Sequence, residues 1–322
     1  MAKILGMGNA LVDMLIQIDG DDFLEKNNLP KGSMQLVDWD TASNVLAMSE
    51  GFQRSQASGG SAANTIHGLA KLGVETGFIG KVGKDEIGEF FKKDLFDAGV
   101  NPQLAESETK SGVAVALVSP DSERTFATFL GAAVEISAED LTAEMFAGYD
   151  YFHIEGYLVQ NYALVERAVI LAKENGLKIS LDLASYNVVE DNLEFLQRII
   201  KEYVDIVFAN EEEAKSFTGK EPEEALHAIA EVAEYAIVKI GSKGSMVKHQ
   251  GKVYTAGVIE ANSIDTTGAG DLYASGFLYG LHKGVSLDEA ARIGSITAGN
   301  VIEVIGAKMD EERWQRIYDM IG

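Results

Sequence analysis

The most informative segment of this 322-residue chain is Asp265-Thr266-Thr267-Gly268-Ala269-Gly270-Asp271. It continues directly into residues 272–281, where apolar side chains recur at helical spacing. The small residues therefore stand at a helix start, where backbone N–H groups are free and the helix dipole is positive. A phosphate could reach these amides because residues 268–270 carry almost no side chain. The segment predicts an anion site with the Asp271 carboxylate beside it.

Asp271 is the candidate catalytic base. A carboxylate beside an anion site can orient a hydroxyl group and accept its proton while that hydroxyl attacks a phosphoryl group. The alternative is an ordinary capped helix, in which the dipole alone favours an acidic residue in the first turn. The run of small residues, preceded by Asp265 and Thr267, favours the catalytic interpretation.

A second glycine-containing segment reads Ser58-Gly59-Gly60-Ser61-Ala62-Ala63-Asn64 and enters a predicted helix over residues 62–72. The two glycines would let a ligand approach the backbone. Asn64, one turn into the helix, can both donate and accept hydrogen bonds. Taken alone, the segment fits a flexible loop before a helix equally well.

Short apolar runs alternate with helical patterns along most of the chain. This alternation predicts βαβ units and a mostly parallel sheet with right-handed crossovers. Predicted strands cover residues 4–8, 77–80, 151–154, 177–183, 204–208 and 236–240, with a hairpin at 245–249 and 252–255 as an antiparallel edge. Predicted helices cover residues 62–72, 88–96, 164–175, 192–202, 223–233, 271–281, 287–304 and 310–321.

Some strand-like runs do not fit a parallel sheet. Residues 112–119 and 124–130 are joined by Pro120-Asp121-Ser122, which indicates a β-hairpin, and residues 34–38 form a further strand candidate. Because hairpins do not form parallel crossovers, we expect these runs to leave the main sheet and build a small β-sheet lid. The expected core is 1–12, 41–108 and 134–322, and the expected lid is 13–40 and 109–133.

Charge and composition narrow the classes of function. The chain has 27 Lys and Arg against 50 Asp and Glu, a formal net charge of −23. A field of this sign repels nucleic-acid phosphates, so we expect no nucleic-acid partner. The chain has no cysteine, and no apolar run reaches the roughly 18 residues of a membrane span. We therefore expect no disulfide and no membrane partner, and a cytoplasmic location.

Together, residues 59–64 and 265–271 resemble the two signatures of the ribokinase-like (pfkB) carbohydrate kinase family. The resemblance covers essentially the whole chain. It implies a ribokinase-like three-layer α/β/α core with a mostly parallel sheet and a small β-sheet lid. It also implies transfer of the γ-phosphate of ATP to a primary hydroxyl of a sugar or nucleoside, with Asp271 as base and the amides of residues 268–270 as anion hole. Lids of this family sometimes pair, so we expect a monomer or a homodimer formed through the lid.

The resemblance also implies a substrate site. Asn9 and Asp13 follow the first strand and match residues that bind sugar hydroxyls, and Gly59, Gly60 and Asn64 complete the set. The separation between Asn9 and Asp13 is similar to that of the adenosine kinase branch, whereas ribokinases typically place these residues closer together. An adenosine-like nucleoside is the first expectation. The alternatives are a free sugar such as ribose or fructose, or a non-catalytic sugar- or nucleotide-binding regulator.

Other positions match the family's nucleotide and metal sites. Asn210 and Glu213 are similar to its Asn-x-x-Glu motif, with Glu213 holding Mg²⁺ through water and Asn210 near the phosphates; an ordinary acidic helix start is the alternative. Arg124, on the lid hairpin, resembles an arginine that reaches toward the phosphates, the alternative being an exposed strand residue. Further nucleotide candidates are Lys239, Gly241, Gly244 and Ser295, the last standing where ribokinases often have Asn. Asp265 and Thr267 match positions that bind a monovalent cation such as K⁺ in some members.

Overall fold

The structure is a computed structural model that describes residues 3–121 and 123–322. Met1, Ala2 and Ser122 lie outside the described residues, and Ser122 belongs to the predicted lid turn. None of the helices in the described ranges has the length and apolar composition that crossing a bilayer requires. The strands are β1 (Ile4–Met7), β2 (Leu11–Gln17), β3 (Met34–Leu36), β4 (Arg54–Gly59), β5 (Thr76–Gly83), β6 (Val100–Ser107), β7 (Gly112–Val118), β8 (Arg124–Phe129), β9 (Tyr151–Glu155), β10 (Lys178–Asp182), β11 (Ile206–Asn210), β12 (Tyr235–Lys239), β13 (Ser245–His249) and β14 (Lys252–Ala256). The helices are α1 (Asp22–Lys26), α2 (Trp39–Met48), α3 (Ser61–Lys71), α4 (Glu86–Asp97), α5 (Tyr162–Glu174), α6 (Tyr186–Asp191), α7 (Leu193–Tyr203), α8 (Glu211–Thr218), α9 (Pro222–Ile229), α10 (Ala269–Lys283), α11 (Leu287–Val301) and α12 (Glu311–Ile321).

The larger sheet, called the core sheet here, has nine strands in the order β14-β13-β12-β11-β10-β9-β1-β5-β6. From β12 to β6 all neighbouring strands pair in parallel, whereas β13 and β14 form an antiparallel edge. This confirms the predicted parallel sheet and its hairpin edge. Because the strands are parallel, the segments that follow β1, β9, β10, β11 and β12 meet at one edge of the sheet.

Helices cover both faces of the core sheet, as the three-layer prediction requires. Along β1, Leu5 and Met7 enter one apolar cluster, which also contains side chains of α5, α7 and α9. The alternate residue Ile4 enters the opposite cluster with side chains of α3, α10 and α11. Successive side chains of a strand point to opposite faces, so a strand that is apolar throughout is buried between two helical layers.

The smaller sheet, called the lid sheet here, has the strand order β3-β8-β7-β2-β4. Its strands β7 and β8 are the predicted hairpin, and β3 joins them in parallel. One face is covered by α1 and α2, where Phe23 and Val45 pack in the same apolar cluster as Val115 of β7. The prediction that these strands leave the main sheet is confirmed.

The boundary of the lid differs from the prediction. The sequence assigns residues 41–59 to the core, but in the structure α2 packs on the lid sheet and β4 pairs antiparallel with β2. The lid sheet also begins at Leu11 rather than at residue 13. The β4 strand reads Arg-Ser-Gln-Ala-Ser-Gly, its first three residues are exposed at the sheet edge, and it carries no apolar alternation from which a strand could be predicted.

Candidate active site

A cleft of about 970 Å³ lies where the carboxyl edge of the core sheet faces the lid sheet. Asp13 of β2 and residues from the starts of α3, α8 and α10 line it. The two glycine-containing segments, although some 200 residues apart in sequence, thus border one cleft. Most of the predicted site residues belong to its lining or contact it.

The start of α10 has the geometry that an anion site needs. Gly268 has φ of 76°, a left-handed conformation that strains other residues. A methyl group at Gly268 would also lie 2.6 Å from the Cβ of Ala307, so glycine is required at this position on two counts. The helix begins at Ala269, and Ala269, Gly270 and Asp271 all line the cleft.

Asp271 joins the two predicted segments. Its carboxylate accepts hydrogen bonds from Ser61 Oγ at 2.7 Å and from Asn64 Nδ2 at 3.0 Å, both in the first turn of α3. Burial raises the pKa of Asp271, while these two hydrogen bonds act to lower it. Ser61 lies inside the quoted segment, but no role was predicted for it. The carboxylate is therefore held in one orientation at the mouth of the anion site.

Gly59 and Gly60 allow the chain before α3 to approach Asp13 and Asn9 closely. A methyl group at Gly59 would lie 2.4 Å from the Asp13 carboxylate, and one at Gly60 would lie 2.2 Å from the Asn9 carbonyl oxygen. Gly60 also has φ of 93°. Burial raises the pKa of Asp13 to about 6, and the charge of Lys308 opposes this effect. Asp13 is thus a half-buried carboxylate, and only glycine at position 59 leaves room for it.

Glu155, at the end of β9, is a site residue that the sequence did not reveal. Its carboxylate accepts hydrogen bonds from Asn9 N at 2.8 Å, from Asn9 Nδ2 at 2.7 Å and from Ala62 N at 3.0 Å. Burial raises its pKa to about 7. The only signal in the sequence was an acidic residue directly after an apolar strand. Glu155 fixes both the loop after β1 and the start of α3.

Two buried amide oxygens remain available for a ligand. Asn9 Oδ1 and Asn64 Oδ1 have no hydrogen-bond partner among the described residues, although the amide nitrogens of both side chains donate to carboxylates. A buried acceptor without a partner costs free energy, of the order of 1–3 kcal/mol. Hydroxyl groups of a substrate could satisfy both oxygens, together with the carboxylate of Asp13.

Asn210 and Glu213 form a capping box at the start of α8. Glu213 accepts hydrogen bonds from Asn210 N at 2.8 Å and Asn210 Nδ2 at 2.7 Å, and Glu213 N donates to Asn210 Oδ1 at 2.8 Å. Burial raises the pKa of Glu213, and the nearby charge of Asp182 adds to this effect. Asn210 and Glu213 therefore form an ordinary acidic helix start, the alternative that the sequence left open. Both residues also line the cleft.

The nucleotide candidates near β12 also border the cleft. Lys239 Nζ donates a hydrogen bond to Asp182 Oδ2 at 2.9 Å, and Asp182 at the end of β10 was not predicted as a site residue. The candidates Gly241, Gly244 and Ser295 are in the lining as well. The cleft also has an apolar wall, which consists of Val258 and Ile259 from the loop before α10 and of Ile302 directly after α11.

Arg124 of β8 reaches from the lid sheet to the anion segment. It forms an ion pair with Asp265 and donates a hydrogen bond to Thr267 Oγ1 at 3.0 Å. Asp265 also accepts hydrogen bonds from Thr267 N and Gly306 N, at 2.7 and 2.6 Å. Burial acts to raise the pKa of Asp265, but Arg124 and these backbone donors outweigh it and hold the pKa below its usual value. The Arg124 guanidinium thus already balances the charge of Asp265. This arrangement does not fit the monovalent cation that we expected at Asp265 and Thr267.

Metal ligands do not cluster in the described part of the chain. Across residues 3–121 and 123–322, no three His, Asp or Glu side chains come together as a metal-binding group. Both carboxylate oxygens of Glu213 already accept hydrogen bonds. This donor set fits a metal ion that keeps most of its water and takes other ligands from phosphate, as Mg²⁺ does.

A three-layer core, a lid sheet and an anion-binding helix start with an adjacent carboxylate define a small-molecule kinase of the ribokinase-like fold. Residues 34–313 match the sequence profile of the pfkB family carbohydrate kinases, and the chain belongs to this family. It is accordingly a phosphotransferase with a hydroxyl acceptor, as are the kinases among its relatives.

Two solved structures and one curated relative cover nearly the whole chain. Adenosine kinase from Sinorhizobium meliloti is 33% identical with a TM-score of 0.87, covering 99% of each chain. A probable sugar kinase from Rhizobium etli is 32% identical with a TM-score of 0.87, covering 99% of this chain and 98% of the other. Adenosine kinase 2 from Arabidopsis thaliana is 26% identical over 333 residues, covering 96% of each protein. The names of these relatives include both nucleoside and sugar kinases.

Proposed function

We propose that the protein transfers the γ-phosphate of ATP to the primary hydroxyl of a nucleoside, and that adenosine is the first acceptor to test. The observation that carries the nucleoside assignment is an apolar patch on the face of the lid sheet that also bears Asp13. The similarity to adenosine kinases of two organisms supports the same choice.

The patch follows from the register of the lid strands. Asp13 pairs with Ala114 of β7, and two residues further along the strands Leu15 pairs with Ala116. Ala116 pairs with Phe126 of β8, which pairs with Met34 of β3. Paired residues, and residues two apart on one strand, share a face of a sheet. The lid patch, defined as Leu15, Met34, Leu36 and Phe126, therefore lies on the same face as Asp13.

The chemistry of the patch complements a nucleoside better than a free sugar. Met34 and Leu36 are 61% and 64% exposed, which is unusual for large apolar side chains that lie side by side. A flat purine base would cover apolar surface, worth about 25 cal/mol per Å² removed from water. A free sugar carries hydroxyl groups around its ring and would gain little from the same wall. The ribose of a nucleoside would still reach Asp13, Asn9 and Asn64.

The apolar wall of the cleft suits the donor. Val258, Ile259 and Ile302 would cover the nucleotide base, and the amides at the start of α10 would hold the terminal phosphate. When bound, ATP supplies the phosphoryl group to be transferred. Glu213 would hold Mg²⁺ through water while phosphate oxygens provide the remaining ligands. Arg124, rather than K⁺, would balance the charge of Asp265.

The reaction would depend on how the chain positions its own groups. Ser61 and Asn64 hold the Asp271 carboxylate so that one oxygen can orient the primary hydroxyl and take its proton. Burial raises the pKa of Asp271, which makes it a stronger base than an exposed carboxylate. The helix-start amides stabilise the charge that develops on the phosphoryl oxygens.

The test is product formation from ATP and Mg²⁺ with adenosine, ribose and fructose in parallel, read by the mass of each phosphorylated product. Turnover of adenosine far above that of either sugar is the expected result. Turnover of a free sugar with none of adenosine would leave the base and anion site in place but contradict the role of the lid patch. Absence of any phosphorylated product would favour the binding-only alternative.

A further inference from the structure

We propose that Lys239 is the side-chain cation that binds the terminal phosphates of the donor, and that Asp182 positions it. This inference rests on the proposed use of a nucleotide donor. It specifies the role of Lys239, which the family resemblance names only as a nucleotide candidate, and it gives a role to Asp182, to which the sequence assigns none.

The charge of the cleft creates the need for such a cation. The described residues that line the cleft include six carboxylates and, as the single Lys or Arg, Lys239. A nucleotide triphosphate carries several negative charges, so these carboxylates would repel it. The carboxylates are Asp13, Asp182, Glu211, Glu212, Glu213 and Asp271. Among the described lining residues, Lys239 is therefore the side chain whose charge attracts the phosphates.

Lys239 stands directly against the anion site. It is the last residue of β12, next to Asn210 of β11 in the sheet register. A methyl group added at Gly270 would lie only 3.0 Å from Lys239 Nζ. The missing side chain at Gly270 thus leaves a space bordered by the ammonium group on one side and the start of α10 on the other. A phosphate in that space would contact both the helix amides and the lysine.

The ammonium group has hydrogen-bonding capacity to spare. Lysine carries three N–H donors, and within the described residues Lys239 Nζ uses one of them, toward Asp182 Oδ2. The side chain is 16% exposed, so the remaining donors belong to a largely buried group that borders the cleft. Phosphate oxygens are suitable acceptors for these donors.

Asp182 keeps the lysine charged and in place. Its Oδ1 accepts a hydrogen bond from Ala184 N at 3.0 Å, which fixes the carboxylate, and its Oδ2 binds Lys239. Burial acts to lower the pKa of Lys239, but the charges of Asp182 and Glu213 outweigh it and raise the pKa. Asp182 therefore acts as a positioning residue and as the counter-ion of Lys239 when no phosphate is bound.

The experiment compares binding of AMP, ADP and a β,γ-methylene analogue of ATP to the wild type and to Lys239→Met, by titration calorimetry. The titrations are made with adenosine saturating the acceptor site, so that AMP, which has the same base, ribose and α-phosphate, reports all contacts of the donor site except those to the terminal phosphates. We expect Lys239→Met to weaken binding of the ATP analogue by about 30-fold or more, with AMP changed less than about twofold. Lys239→Arg should recover part of the lost affinity, and Asp182→Asn should weaken the analogue selectively but less.

Lys243→Met is the matched control, because Lys243 is an exposed lysine on the turn after β12 and does not line the cleft. It should bind all three nucleotides as the wild type does. Equal weakening of AMP and the ATP analogue in Lys239→Met would show a purely structural ion pair and overturn the proposal, as would unchanged binding of both. If the wild type binds none of the nucleotides, the donor assignment itself is wrong and the inference falls with it.

Discussion

The start of α10 lines the cleft, and the lid patch shares the sheet face of Asp13, but the two regions are built in opposite ways. At the start of α10, the Asp271 carboxylate is half-buried and accepts two hydrogen bonds from α3. In the lid patch, Met34 and Leu36 are exposed apolar side chains on the edge strand β3. In the first region the carboxylate is held in place without a ligand, whereas the second region leaves apolar surface in water until something covers it.

Because of this difference, we expect the start of α10 to determine the rate of phosphoryl transfer and the lid patch to determine which acceptor binds. A preorganised carboxylate and anion site act on the transition state of any acceptor that reaches them, so changes there should alter kcat for all acceptors. An exposed apolar face contributes only when the acceptor has apolar surface to place on it. Changes in the lid patch should therefore alter KM for some acceptors and leave kcat largely unchanged.

The largest effect is expected at Asp271. Asp271→Asn keeps the size of the side chain and removes the base, so kcat should fall by at least about 10²-fold for every acceptor that the wild type phosphorylates. Affinity for an ATP analogue should change little, because the helix-start amides remain. Steady-state kinetics and calorimetry measure the two quantities separately.

Asp288→Asn is the control for Asp271→Asn. Asp288 is also an acidic residue in the first turn of a helix, but it is exposed on α11 and does not line the cleft. Its loss should leave kcat within about twofold, as surface substitutions usually do. An Asp271→Asn protein that retains more than a tenth of wild-type kcat would contradict the assignment of the base.

The same contrast explains what the sequence could reveal. Gly268 and Asp271 belong to one helix start, so their relation is local and readable from spacing alone. Glu155 and Asp182 were missed because their roles depend on which strands are neighbours: β9 lies between β1 and β10 in the sheet, although some 140 residues separate it from β1 in sequence. No periodicity in the sequence encodes that order.

The lid was only partly predictable for a related reason. The β7–β8 hairpin is local and apolar, and it was found. The strand β4 and helix α2 join the lid through contacts with β2 and with other lid strands, and β4 has a polar sequence. The face that Met34 and Leu36 share with Asp13 required the full strand register, because a shift of one residue would move them to the opposite face.

An intermediate effect is expected in the lid patch. Leu36→Ser should raise KM for adenosine by about 5- to 10-fold, because it removes apolar surface from the wall that we assign to the base. The same change should leave kcat and the KM for ATP within about twofold. Because Leu36 is 64% exposed, the substitution should not lower the melting temperature appreciably. Steady-state kinetics with adenosine as the varied substrate measures the effect.

Gln35→Ser provides the comparison within the same strand. Gln35 is exposed and lies between Met34 and Leu36, so it points to the opposite face of β3. It should have wild-type KM for adenosine. Equal effects of Gln35→Ser and Leu36→Ser would mean that the strand as a whole, and not the patch, affects binding.

The smallest effect concerns Asp13, a lid-sheet residue whose charge depends on the core. Its pKa is raised to about 6 by burial and by the Asp271 charge, and the charge of Lys308 opposes the increase. Because the carboxylate must be ionised to accept two hydroxyl groups, kcat/KM should fall as pH decreases through about 6. Lys308→Met removes the opposing charge, so the Asp13 pKa should rise and this acid limb should move to higher pH by roughly half a unit to one unit.

Lys71→Met distinguishes this effect from a general change of charge near the site. The charged groups that act on Lys308 are Asp94, Asp13, Asp271 and Lys71, whereas those that act on Asp13 are Lys308 and Asp271. Loss of Lys71 should therefore leave the acid limb in place, although it removes the same formal charge. A Lys308→Met protein whose acid limb coincides with that of Lys71→Met would show that the core does not set the charge of Asp13. The lid sheet would then bind the acceptor without electrostatic influence from the core, although the structure places the charge of Lys308 near Asp13.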